Sequence, residues 1–141
     1  MYQHILIAID PESKKTWERA LPEAVKLART HNAKLHVMTV VPDYGSSLVA
    51  SFFPSNYEEK ALKRAKTALH EVAESLVSAD LPHQFITAHG RIHDEICRVA
   101  EEVKADLIVM ASHKPSPTDR LIAPTAQQVL LHAPVSVLVV R

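Results

Sequence analysis

Five short apolar runs alternate along the chain with longer segments whose apolar positions recur every three or four residues. The runs are HILIAI (4–9), KLHVMTV (34–40), HQFITA (83–88), DLIVMA (106–111) and SVLVVR (136–141). Most are near-continuous stretches of Ile, Leu and Val, which suits strands buried on both faces of a parallel sheet. Between them, Ile92, Ile96, Val99 and Val103 share one face of a helix over 91–103. Ala61, Ala65, Leu69, Val72 and Leu76 do the same over 56–78, and Ser55 with Glu58 supplies a capping-box pair for that helix. A first helix over about 13–31 turns Trp17, Leu21, Ala24 and Ala28 inward. It contains Pro22, which removes a helical hydrogen bond and predicts a kink or a loose first turn. A short last helix over about 125–132 opens on a second capping box, Thr125 and Gln128.

This strand–helix alternation implies an α/β sandwich with right-handed crossovers. Ligands in such folds sit beyond the carboxyl ends of the strands, where the strand order reverses. Here those ends are Asp10, Val40 to Pro42, His89–Gly90 and Ala111 to Lys114. The connection 42–55, PDYGSSLVASFFPS, is long and exposes Phe52 and Phe53 unless they fold back, so it reads as a lid or a partner-binding loop.

Composition narrows the function. With 141 residues, 47% of them hydrophobic and 23% charged, the chain reads as one soluble domain over 1–141. Sixteen basic side chains balance sixteen acidic ones, so no strong field steers nucleic acid or anionic lipid. The single Cys97 excludes an internal disulfide and fits a reducing compartment. The opening MYQHILIAID lacks a charged region before its short apolar run, so neither a signal peptide nor a membrane helix is expected. Only two glycines occur, Gly45 and Gly90, too few for a Rossmann or a Walker loop.

The motifs ILIAID, LHVMTVVP, HGRIHDEI, ADLIVMASHKP and the C-terminal SVLVVR, in this order and spacing, resemble a universal stress protein over essentially the whole length. The resemblance implies a five-stranded parallel sheet of order 3-2-1-4-5 with helices on both faces, the adenine-nucleotide α-hydrolase-like arrangement. It also implies a cytoplasmic homodimer joined through the last strand, at Val137, Leu138, Val139 and Val140. Many such proteins bind ATP through Gly-x-x-Gly, nine residues, then Gly-Ser or Gly-Thr. Counted from Ala111, the glycine positions fall on Ala111, Lys114 and Pro124, with Thr125 at the hydroxyl position. Aligned back from the last strand, the third glycine falls on Ala123. ASHKP follows a family branch that reads Ala-Ser-His-Arg-Pro there and is similar to nucleotide binders. LIAPTA departs from that branch's Leu-Leu-Gly-Ser-Asn-Ala, with both glycine and serine gone.

A phosphate at a helix N-terminus is held by free N–H groups, and Pro124 has none, while Ala123 restricts a backbone that glycine would leave free. His113, Lys114 and Arg120 offer positive charge, Thr125 offers a hydroxyl, and the dipole of the last helix still points outward. The expectation is a pocket for ATP or another adenine nucleotide with its adenine end intact and its phosphate end rebuilt. By resemblance, Asp10 with the neighbouring backbone of Ile9 faces adenine and ribose, and Val40 offers backbone groups to the base. Asp10 also reads as a turn residue before Pro11, and Gly90 as a tight turn into the third helix. Ser112 and His113 either line the ribose and phosphate or are plain loop residues, and Thr125 reads first as a helix cap. His89, His93 and His113 raise a metal site, but no cysteine or carboxylate spacing completes a pattern, so solvated histidines and no metal are expected. Cys97 reads as a buried, inert thiol.

No nucleophile–base pair and no magnesium-holding acidic cluster is legible, so the chain reads as non-catalytic. An adenylyl-transferring enzyme would need a His-x-x-His or glycine-rich loop, and the histidines of HGRIH have the wrong spacing and place. A receiver domain would need an aspartate after the third strand, where ITAHG has none. The alternative is a protein-interaction dimer with a vestigial pocket, favoured by Pro115, Pro117 and Pro124, which stiffen the loop and remove donors.

Overall fold

The computed structural model describes residues 1–43, 56–112 and 124–141. The expected capping residue Ser55, the connection with Phe52 and Phe53, and His113, Lys114, Pro115, Pro117, Arg120 and Ala123 lie outside them.

In chain order the elements are β1 (His4–Ala8), a 3₁₀ turn (Lys14–Thr16), α1 (Ala20–His31), β2 (Lys34–Pro42) and α2 (Tyr57–Leu76). Then come β3 (His83–Gly90), α3 (Ile92–Glu102), β4 (Leu107–Ala111), α4 (Pro124–His132) and β5 (Ser136–Val140). All five strands pair in parallel in the order β3-β2-β1-β4-β5, as expected. The continuous apolar runs are continuous because both sheet faces are covered. Ile5, Ile7, Leu35, Val37, Leu107 and Val109 pack against α1 and α2, while Leu6, Met38, Ile108 and Met110 pack against α3 and α4. Strand bounds shift slightly. β1 stops at Ala8, although the Ile9 N–H still donates to the Met38 carbonyl at 2.9 Å. β2 and β3 run on together through Val41↔His89 and Pro42↔Gly90.

The helices depart from expectation where local chemistry intervenes. Helix 13–31 is divided: Thr16 Oγ1 lies 2.9 Å from both the Asp10 N–H and the Asp10 carbonyl, which holds 13–19 as a separate turn. α1 begins at Ala20, so Pro22 occupies the first turn, where its missing N–H breaks no helical bond. Leu21, Ala24 and Ala28 are buried, whereas Trp17 is half-buried and its indole N–H donates to the Pro11 carbonyl at 3.3 Å. In α2 the buried line runs through Leu69 and Ala73 to Val77, one step off the expected face, and leaves Leu76 exposed. The α2 N-cap is Asn56, without a side-chain capping bond, and Glu58 instead lies 3.1 Å from His89 Nδ1. α4 starts at Pro124, whose fixed φ suits the first helical position, so Thr125 lies inside the first turn rather than at the cap.

One polar group is buried beneath the sheet's α3 face. His36 is 3% exposed, with Nε2 3.0 Å from His4 Nδ1 and Nδ1 2.9 Å from Gln84 Oε1. With the Gln84 oxygen as acceptor, His36 Nδ1 carries the proton and Nε2 accepts from His4. Burial is the main cause holding the His36 pKa below its ordinary value. The Gln84 hydrogen bond opposes the shift, and His4 and Lys34 add to it.

Candidate functional site

The carboxyl ends of β1, β2 and β4 converge on a cavity of about 380 Å³, within the usual range of about 300–1,000 Å³ for small-molecule sites. Five of the expected residues line it: Ile9, Asp10, Val40, Ala111 and Thr125. Its floor is apolar, formed by Ala8, Ile9, Ile92, Ile96, Met110 and Ala126. Polar groups from Asp10, Glu12, Thr16, Thr39 and Thr125 complete the described wall. A largely apolar cavity with a few polar groups in its lining suits a small ligand with an apolar body and hydrogen-bonding edges.

Asp10 takes part in a turn and in the cavity wall. Its Oδ1 accepts the Glu12 N–H at 3.0 Å, closing a turn at Pro11, and the same residue lines the cavity. Val40 is half-buried beside Ala88 in the β2–β3 register. Ile92, expected on the core face of its helix, is 38% exposed and lines the cavity.

Other expected residues fall elsewhere. Ser112 is buried, its N–H donates to the Val140 carbonyl at 2.8 Å, and it lines a second cavity. Gly90 stands opposite Pro42 and is not among the described lining of the first cavity. Its φ is +143°, and a Cβ there would lie 3.0 Å from Glu95 Cγ and Oε1. Pro124 is exposed at the start of α4, next to Thr125. His113, Lys114 and Ala123 are outside the described residues.

Thr16, Thr39, Ile92 and Ala126 were not foreseen as wall residues. Thr39 carried a signal, a hydroxyl within an otherwise apolar strand end. Thr16 carried none, because it sat within a segment read as helix.

Of the candidate metal-site histidines, His89 and His93 are described and each lies beside a carboxylate. His89 pairs with Glu58, while His93 lies 3.2 Å from Asp94 and stacks on His132 at 5.6 Å. Among the described residues no group of three or more His, Cys, Asp and Glu side chains is placed to hold a metal ion. Cys97 is half-buried rather than buried, and burial, aided by Asp94 and Glu101, pushes its thiol pKa up. Among the described residues no helix is long and apolar enough to cross a membrane.

The sequence matches the family model described as "Universal stress protein family" over residues 1–141. It is 28% identical to universal stress protein G of Shigella flexneri over 147 residues, covering 100% of both chains. The fold is similar to that of a universal stress protein in complex with cAMP, with TM-score 0.64, 23% identity and coverage of 99% of this chain and 97% of that one. It is also similar to the universal stress protein from Archaeoglobus fulgidus in complex with dAMP, with TM-score 0.61, 21% identity and coverage of 99% and 98%.

Proposed function

This chain belongs to the universal stress protein family, and on that premise we propose that residues 1–141 form a single-domain, non-catalytic, cytoplasmic stress-response homodimer that binds an adenine nucleotide by its base and ribose. The observation that carries the reading is the convergence of Ile9, Asp10, Val40, Ala111 and Thr125 on one apolar cavity at the strand ends. The cAMP and dAMP complexes of two structural neighbours support the ligand class. In this reading the base lies on the apolar floor, Asp10 and the backbone near Val40 meet its polar edge, and Thr16 or Thr39 reaches the ribose. Gly90 sets the turn behind the site.

The phosphate end differs from that of glycine-bearing relatives. α4 presents Pro124 at its first position, so that residue gives no N–H to an anion. His113, Lys114, Ala123 and Ser112 complete the proposed site on the loop side. No step of bond chemistry is assigned. The two carboxylates and three hydroxyls of the described lining serve binding in this reading.

A thermal-shift titration with adenosine, AMP and ATP tests the reading. Adenosine at about a hundred times its dissociation constant stabilises the fold by roughly 2.7 kcal/mol, a rise on the order of 4 °C. No shift with any of the three at millimolar concentration would leave a vestigial pocket in a protein-interaction dimer as the surviving reading.

A further inference from the structure

A second cavity of about 420 Å³ lies at the carboxyl ends of β4 and β5. It adjoins the first at Ala111, which lines both. The 3₁₀ turn stands between them: Thr16 belongs to the wall of the first cavity and Lys15 to that of the second. Among the described residues, Lys15, Arg19 and Arg141 line the second cavity with one acidic side chain, Glu18.

That local imbalance departs from a chain whose charges otherwise cancel. Arg29, Arg91 and Arg98 are each paired with a carboxylate, whereas Lys15, Arg19 and Arg141 join no side-chain ion pair among the described residues. Arg19 Nη1 donates to the Arg141 main-chain oxygen at 3.3 Å. This bond ties the guanidinium to the end of β5 and leaves its other N–H donors available. Three cations around an open cavity are suited to a multiply charged anion, and the arginine forks to phosphate oxygens.

For a ligand whose base occupies the first cavity, the described residues border two directions for a phosphate chain. One leads to the start of α4, where Pro124 contributes no donor. The other passes Ala111 into the cationic cavity. We propose that the second cavity is a polyphosphate subsite, in which Lys15, Arg19 and Arg141 hold the phosphates that the loop before α4 holds in glycine-bearing relatives. For the base this rests on the adenine-nucleotide reading above. The phosphate chemistry does not, since a free polyphosphate carries the same recognition groups.

The test is calorimetric titration of the full chain at low salt with adenosine, ATP and inorganic tripolyphosphate, each separately. It compares wild type, Lys15→Ala/Arg19→Ala, the charge reversal Lys15→Glu, and, as a control for loss of one positive charge away from both cavities, Lys26→Ala on the exposed side of α1. Lys15 and Arg19 are exposed, and unchanged melting of each variant confirms folding. ATP is expected to bind roughly tenfold or more tightly than adenosine, since even one charge-assisted bond is worth about that factor. Tripolyphosphate is expected to bind alone. Both effects fall by roughly tenfold or more in the double variant and in Lys15→Glu, while adenosine affinity and the Lys26→Ala variant stay near wild type.

An ATP preference that survives the double variant, or that is lost equally in Lys26→Ala, overturns the subsite. So does ATP binding no tighter than adenosine together with no tripolyphosphate binding. If adenosine fails to bind while tripolyphosphate binds through Lys15 and Arg19, the base reading falls and the anion subsite stands. Failure of all three ligands overturns both.

Discussion

At Gly90 a single backbone angle constrains what the position accepts. Its φ of +143° lies where side chains are rarely tolerated, and an added Cβ would meet Glu95 at 3.0 Å. Gly90→Ala is expected to destabilise the fold by about 1–3 kcal/mol, read as a lower urea midpoint. Combining it with Glu95→Ala removes the contact but not the backbone strain, so only part of the loss should return. Full recovery would assign the cost to packing alone. The glycine was visible in the sequence and its neighbour was not, because Glu95 comes near only when α3 folds back over the end of β3. Asp10 shows the same limit. Its turn with Glu12 follows from Asp-Pro chemistry, whereas the anchoring of its backbone by Thr16 depends on a 3₁₀ turn that no periodicity announces.

Among the elements, the strands were the most legible, because burial on both faces leaves an almost unbroken run of Ile, Leu and Val. The helix ends were the least legible. Pro124 drew attention as a lost donor, yet it also starts α4, which moves Thr125 inside the helix. The cavity divides the same way. Its strand-end wall, Ile9, Asp10, Val40 and Ala111, could be counted from the strands, but Ile92, Thr16 and Ala126 depend on how helices and the 3₁₀ turn settle on the sheet. One inter-strand feature yields a pH prediction. His36 joins β1 to β3 through His4 and Gln84, and its folded pKa lies below the ordinary histidine value, first because it is buried. The unfolded chain therefore takes up the proton near pH 6.5, and the folded one only at lower pH. The stabilising contribution of a neutral His36 is full above about pH 6.5 and is lost as the pH falls through that window toward the folded pKa. Urea midpoints at pH 7.5 and 5.5 should differ more for wild type than for His36→Gln. Equal differences would show that this imidazole does not set the acid sensitivity.

Across the whole molecule, the strand order leaves β5 at an edge, paired only with β4 among the described residues. Val137, Val139 and Val140 are half-buried and Leu138 is 38% exposed, an apolar edge of the kind that invites pairing. We expect a two-fold dimer through this edge, so light scattering at micromolar concentration should give about twice the 15.7 kDa chain mass. Leu138→Glu should shift the population toward monomer, and a wild-type protein at the single-chain mass would refute the interface. The same order places β1 at the centre, between β2 and β4, with Ile5 opposite Leu107. Those partners lie about a hundred positions apart, and ribosomes add roughly 5–20 residues per second. During synthesis the central strand therefore waits roughly 5–20 s for its second neighbour. Until then HILIA has an open edge of unpaired backbone and apolar side chains, and the nascent chain is most exposed to aggregation, and most in need of a chaperone, before β4 leaves the ribosome.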